Sequence, residues 1–234
     1  MSYSEFTIIL PTLNEAGNIK NLIEEINNYY KDIFIIVSDD GSIDDTKDVI
    51  LSFQNRRIFF LDRKHRKIHG LTASVLDASE IVNTKYFIVM DADNQHPWET
   101  VKEIVDGLKK GSKLVTASRK KVEGYWSISR KSASYLGNFL GKLSLLIRGK
   151  MYLGYDILTG FFGAETTFWK EIVFDKNKRA NFRPKGYKVL FDFLKIVPNK
   201  VSVKNVHYIF GARKKGSSKI NISVYIEFMK AVFL

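Results

Sequence analysis

Short apolar runs alternate with longer amphipathic stretches through the first half of the chain. Phe6-Thr-Ile-Ile-Leu10, Ile33-Phe-Ile-Ile-Val37, Arg57-Ile-Phe-Phe-Leu61 and Tyr86-Phe-Ile-Val-Met90 are rich in β-branched and aromatic residues and bounded by polar clusters, which predicts buried strands. Between them, Ile19, Leu22, Ile23 and Ile26 recur at helical spacing, with Asn18 as the candidate cap. Val49, Ile50 and Phe53 mark the buried face of a second helix, and residues 71–82 read as a third. Strands and helices in strict alternation predict a mostly parallel, Rossmann-like α/β sheet with helices on both faces. In such sheets ligands bind beyond the carboxyl ends of the strands. Polar clusters fall at three such ends: residues 11–15, 38–42 and 91–95.

The second half is less regular. Residues 101–108 predict a helix, 113–118 a strand, 129–147 an amphipathic helix, 188–197 a helix and 201–209 an alternating strand. Residues 158–164 carry Gly160 and Gly163, and 211–218 are a loop of glycine, serine and base. Residues 222–234 are mostly apolar, interrupted by Glu227 and Lys230. They are too short to span a bilayer, and so either cap the core or lie on a membrane surface. The pattern breaks off at Ala231-Val-Phe-Leu234, as a shortened chain, or an end that pairs with another membrane subunit, would.

Composition sharpens this picture in three ways. The 234 residues, 45% hydrophobic and 13% aromatic, allow one sizeable domain with at most an appendage. The absence of cysteine excludes disulfides and cysteine-based zinc sites. Residues 1–5 are polar and the run at 6–10 is too short for a signal peptide, so the termini are expected to face the cytoplasm. The net charge of +12 is concentrated between Lys176 and Lys219, where thirteen Lys and Arg face one acid, Asp192. Such a surface attracts phosphate, whether of a nucleotide, a nucleic acid or an anionic lipid.

The chemistry lies in the polar clusters. Asp91 and Asp93 stand one residue apart after a strand, on one side where the chain stays extended. Carboxylates so close repel unless a cation lies between them. Oxygen ligands suit Mg2+ or Mn2+, whose shell phosphate and water complete. Gln95 adds a neutral oxygen and His96 a nitrogen. The same residue types suit a turn or a helix cap, but their place at a strand end favours the metal. Asp40 suits a ribose hydroxyl or a base N–H, Gly41 a tight turn, and Asp44 or Asp45 the next helix cap. Pro11-Thr-Leu-Asn-Glu15 suits a nucleotide cradle with Glu15 as acceptor, or a helix start. Arg119, Lys120, Arg130 and Lys131 come in pairs suited to phosphate, and Arg213, Lys214, Lys215 and Lys219 read as an anion clamp. His65, His69 and His207 show no ligand spacing, and no P-loop or G-x-G-x-x-G occurs.

Taken in order, Ile9-Leu-Pro-Thr-Leu-Asn-Glu15, Ser38-Asp-Asp-Gly-Ser42, Asp91-Ala-Asp-Asn-Gln-His-Pro97, Ala117-Ser-Arg119, Thr159-Gly-Phe-Phe162, Lys185-Gly-Tyr-Lys188 and Arg213-Lys-Lys-Gly-Ser-Ser-Lys219 resemble family 2 glycosyltransferases with a GT-A fold. The last three motifs point to the polyprenyl-phosphate branch, the dolichol-phosphate mannose synthase type. The resemblance covers residues 6–220 and implies a GT-A catalytic domain at 1–220, followed by an amphipathic helix at 221–234. It implies inverting transfer of a hexose from a nucleotide sugar, GDP-mannose or UDP-glucose, to a polyprenyl (dolichyl) phosphate, with Mg2+ or Mn2+, at the cytoplasmic face of a membrane. By this resemblance Pro11, Glu15, Ser38 and Asp40 hold the nucleoside, while Asp91, Ala92, Asp93 and Gln95 serve the diphosphate and metal. Arg119 and Arg130 take the acceptor phosphate, and Lys188, Arg213 and Lys219 close over the donor. Leu13 departs from the family's frequent tyrosine, Asp45 from its glycine, and His69-Gly-Leu-Thr72 from a Lys-Gly-Leu-Gly run, for which Lys67 or His69 substitutes. Two rival readings remain. Transfer to a saccharide or protein hydroxyl needs a general base, for which Asp156 and Asp192 are the candidates. A nucleic-acid-binding module would explain the charge and leave the acidic strand ends unexplained.

Overall fold

A computed structural model describes residues 2–123, 128–152, 155–175, 182–212 and 222–233, with the side chains of 128–131 and 222–225 outside the description. The first half folds as its periodicity predicts. Strands β1 (Phe6–Thr12), β2 (Phe34–Asp39), β3 (Ile58–Asp62) and β4 (Tyr86–Val89) alternate with helices α1 (Ala16–Tyr29), α2 (Thr46–Leu51) and α3 (Leu71–Ile81). These strands are parallel, with β1 between β2 and β4. Each apolar run is continuous because both sheet faces are covered. Ile8 and Leu10 of β1 pack towards α1, while the intervening Ile9 packs towards α3.

The second half adds α4 (Val101–Lys109), β5 (Leu114–Val122), α5 (Ile128–Ile147), β6 (Phe162–Glu165), α6 (Thr166–Val173), α7 (Val189–Ile196), β7 (Val203–Phe210) and α8 (Ile222–Phe233). The sheet order is β3-β2-β1-β4-β6-β5-β7. β6 runs antiparallel to both β4 and β5, and β5 pairs parallel with β7. Gly163 explains how so short a strand sits in mid-sheet: a Cβ there would lie 2.6 Å from Ile104 Cγ2 and 3.0 Å from Leu108 Cδ1. Helix α4 therefore packs on bare backbone. The periodicity gave no sign of β6 or of α6.

Two local expectations are corrected. Asn18 does not cap α1; Glu15 holds that position, and Asn18, buried in the first turn, donates to Glu15 Oε2 at 2.8 Å. Val49 and Phe53 are half-buried and pack against the core, Phe53 beyond the end of α2, and of the three expected residues Ile50 alone is fully buried. The C-terminal helix does what the first of its two readings required. Phe228, Ala231 and Val232 of α8 enter the core, and Phe228 meets the Phe191 ring at 5.6 Å. Its last carbonyls are also engaged: Lys195 Nζ donates to Ala231 O (3.2 Å) and Ser144 Oγ to Val232 O (2.7 Å). Among the described residues no helix is long and apolar enough to cross a membrane.

Candidate active site

The ends of β1, β2 and β4 open into one cleft of about 510 Å3. The turns after β1 and β2 are tied to each other. Asn14, at φ 52°, donates its N–H to Ser42 Oγ (2.7 Å), and its side chain accepts from Ile43 N (2.8 Å). Asp39 is a turn organiser: it accepts from Thr12 Oγ1 (3.1 Å) and from the N–H groups of Gly41 (3.1 Å) and Ser42 (2.8 Å). Pro11, Glu15 and Asp40 line the cleft. Ser38 does not. It is fully buried and donates to Ser74 O at 2.9 Å, on the α3 side of the sheet.

The acidic turn 91–96 is not extended. β4 ends at Val89 and Asn94 takes φ 60°, yet Asp91, Ala92, Asp93 and Gln95 all line the same cleft. Its shape is held from within and from β7. Gln95 N donates to Asp93 Oδ1 (3.1 Å). Gln95 Nε2 donates to Gly211 O (3.0 Å), and Gly211 N returns a bond to Gln95 O (2.9 Å). Gly160 leaves room for the acid, since a Cβ there would stand 3.1 Å from Asp91 Oδ1.

His96 is a brace here. Its Nδ1 accepts from Asp91 N at 2.9 Å, so the proton belongs on Nε2, which lies 3.7 Å from Asp91 Oδ2. The ring stacks on Phe161 (4.9 Å, 17°) and meets the edges of Tyr208 and Phe210. Burial pushes its pKa down to about 4, against the attraction of Asp93. Among the described residues no group of three or more His and acidic side chains forms a metal cluster. Two carboxylates and an amide oxygen facing one cleft nevertheless fit a hard divalent cation whose remaining ligands come from a diphosphate.

The middle of the cleft is cationic. Arg119, at the end of the buried part of β5, donates from Nε to Asp156 Oδ2 at 2.5 Å and lies over the Phe210 ring. Asp156 is fixed in turn by Asn138 Nδ2 (2.8 Å) and through its own N–H to Ser118 Oγ (2.8 Å). Burial alone would raise the Asp156 pKa; Arg119 and Asn138 outweigh it and hold it below the usual carboxylate range. Lys188 precedes α7 and donates to Leu158 O at 2.6 Å. Burial, then the charge of Arg119, lowers its pKa to about 8. Beyond these cations the wall turns apolar: Leu136 and Leu140 of α5, Leu158, and Phe228 and Met229 of α8. The sequence alone did not single out this wall, nor Arg63, which lies behind Asp40. Arg213 and Lys219 fall outside the described residues, as does the side chain of Arg130 on α5.

A mostly parallel seven-stranded sheet, with acidic and cationic groups converging at its strand ends, is the architecture of the GT-A fold. The model of "Glycosyl transferase family 2" matches residues 7–172, and the chain belongs to that family. It is 29% identical over 234 residues to a dolichol-phosphate mannosyltransferase of Pyrococcus furiosus, covering 97% of this chain and 62% of that protein. It is 25% identical to the dolichol-phosphate mannosyltransferase of Saccharomyces cerevisiae, covering 97% of this chain and 85% of that one. In structure it resembles glucosyl-3-phosphoglycerate synthase of Mycobacterium tuberculosis, solved with Mn2+, UDP and phosphoglyceric acid. That likeness has a TM-score of 0.66 at 18% identity over 98% of this chain and 78% of the other, and it establishes the fold.

Proposed function

We propose that the protein transfers a hexose from a nucleotide sugar to a polyprenyl phosphate, with inversion at the anomeric carbon. The observation that carries this reading is that one cleft joins three chemistries: the acids and the turns after β1 and β2, the cations Arg119 and Lys188, and apolar side chains of α5 and α8. A lipid phosphate has those needs, a charged head beside the reacting sugar and an apolar tail leading away. The relatives named as dolichol-phosphate mannosyltransferases support the acceptor, and the Mn2+ and UDP in the structural neighbour support the donor class and a divalent cation.

In this mechanism Pro11, Glu15 and Asp40 hold the nucleoside. Asp91, Asp93 and Gln95 would hold Mg2+ or Mn2+, which would supply positive charge to the departing diphosphate. Arg119, with Arg130, places the acceptor phosphate; Lys188, which the resemblance assigns to the donor, lies close enough to Arg119 to share that phosphate, and Arg213 and Lys219 complete the donor's enclosure. One acceptor oxygen forms a bond to the anomeric carbon as the bond to the donor's β-phosphate oxygen breaks on the opposite face. The electron pair leaves with the nucleoside diphosphate. A phosphate with its second pKa near ~6 is already anionic and needs no protein base. The two candidate bases of the rival reading support this. Asp156 is engaged by Arg119 and Asn138. Asp192 lies on α7 outside the cleft lining, paired with Lys195 at 2.9 Å.

The same two helices suit a membrane surface. Tyr135, Phe139, Leu143 and Ile147 recur along one exposed side of α5, with Phe139 64% and Ile147 76% exposed. Ile226, Met229 and Phe233 extend the patch on α8. Exposed apolar side chains on these helices fit a bilayer surface, and Leu136 and Met229 of the same helices line the cleft. The test is a transfer assay offering GDP-mannose and UDP-glucose against dolichyl phosphate in vesicles and against a soluble saccharide. Sugar transferred to the lipid phosphate is expected; transfer only to the saccharide hydroxyl overturns the reading.

A further inference from the structure

One cation in the fold is used by nothing described so far. Arg63 follows β3 in the run Arg63-Lys-His-Arg-Lys-Ile-His69, whose other members are exposed. Arg63 itself is 1% exposed. Its Nε binds Asp77 Oδ2 of α3 (3.0 Å), its Nη1 donates to Ser74 Oγ (2.9 Å), and its Nη2 donates to Ile68 O (2.8 Å). The remaining strong contact is from Nη1 to Asp40, the acid on the nucleoside wall of the cleft. Asp40 Oδ1 also meets His69 Nδ1 at 3.1 Å, and Oδ2 accepts from Gly70 N at 2.6 Å.

A tie between β3 and α3 needs only Asp77 and Ser74. The additional bond is aimed at a cleft-lining group. A carboxylate offers roughly four acceptor directions, and three of those of Asp40 are taken by Arg63, His69 and Gly70. Its rotamer is thereby fixed, with acceptor capacity left for a ligand. Without Arg63, a carboxylate that is 10% exposed would lose its compensating charge and the bond that orients it.

We propose that Arg63 is a positioning residue for the nucleoside end of the cleft, acting through Asp40 on how tightly the donor nucleotide is held. This rests on the reading that the cleft takes a nucleotide sugar with Asp40 facing its nucleoside. The experiment is calorimetric titration of UDP and of GDP, each with Mn2+, into the wild type and the variants R63M, R63K, D77N and D40A, with melting temperatures for each. R63M is expected to weaken nucleotide binding by about tenfold and to raise the donor KM, with kcat at saturating donor within about threefold. R63K, which keeps the charge but not the fork, falls between. D77N lowers the melting temperature with nucleotide affinity unchanged, because it leaves the bond to Asp40 in place. Should affinity fall in D77N as it does in the Arg63 variants, in step with melting temperature, Arg63 is only a structural tie and the proposal is overturned. If R63M does not fold, R63K against D77N decides the same question. A D40A protein that binds both nucleotides like the wild type overturns the nucleoside reading itself. Loss in D40A with none in R63M and R63K sinks the positioning role alone.

Discussion

The two ends of the cleft are built on different principles. At the nucleoside and acidic end, the polar groups sit in turns directly after strands and are braced by backbone bonds, as His96 braces Asp91 and Gly211 braces Gln95. At the other end the wall is made of side chains from α5 and α8, and the same helices present Tyr135, Phe139 and Ile147 outward without cover from the described chain. The first end is finished by the fold. The second leaves apolar side chains facing outward. On the proposed reading, the first half would align charge and the second would take the apolar tail of the acceptor.

The sharpest way to break the first half is Asp93→Ala. Transfer is expected to fall by about two to three orders of magnitude, with the melting temperature near that of the wild type, since the Asp93 carboxylate lines the cleft and its bond to Gln95 N lies within the turn. Near-full activity in a radiolabelled-sugar assay would remove the acidic turn from the site. Next is His96→Phe, which keeps the stack but strands the Asp91 N–H, at a cost of about 1–3 kcal/mol in chemical denaturation at pH 7. Because the fold lowers the His96 pKa to about 4 from 6.5, the stability it contributes by staying neutral is full above pH 6.5 and drains away as pH falls towards 4. The gap between wild type and variant should therefore narrow over that window; a constant gap would mean that His96 is charged in the fold.

The second half is tested at the surface. The pair Phe139→Asp and Ile147→Asp should lower sedimentation with anionic vesicles by about tenfold. Transfer to a short, soluble prenyl phosphate should stay unchanged in the same protein. Loss of both together would point to misfolding of α5 rather than to a docking face. The smallest effect concerns the join between the halves. Lys188, with its pKa lowered to about 8, carries charge below that pH and loses it above, so kcat/KM for the acceptor should decline severalfold on the alkaline side. Lys188→Arg should move that decline upward, because a guanidinium stays charged; an unmoved alkaline limb would assign it to another group.

The same division governs what the sequence disclosed. The runs at 6–10, 33–37 and 86–90 were legible because both faces of a parallel sheet demand apolar residues at every position. The acids that follow them were legible because strand ends are where such sheets bind ligands. β6 was hidden: four residues, Phe-Gly-Ala-Glu, become a central strand only because α4 settles on Gly163. Ser38 was misplaced for want of a parity argument. It lies two residues after Ile36, which packs towards α3, so it shares that side and donates to Ser74 O instead of lining the cleft itself. Arg63 was lost in a basic run that reads as solvated surface; nothing marks one of its cations as buried until the loop folds back on Asp40. Lys188 came from the resemblance, and no local pattern would have predicted its burial.

The paired bonds between Gln95 and Gly211 give the molecule its own gauge. A glycine amide exchanges its hydrogen slowly only while its partner carbonyl stays in place. The Gly211 N–H therefore reads the posture of the acidic turn from the far end of β7. Followed by exchange or by resonance position during a titration, that one proton would time the settling of the turn around whatever it binds, without a label and without turnover.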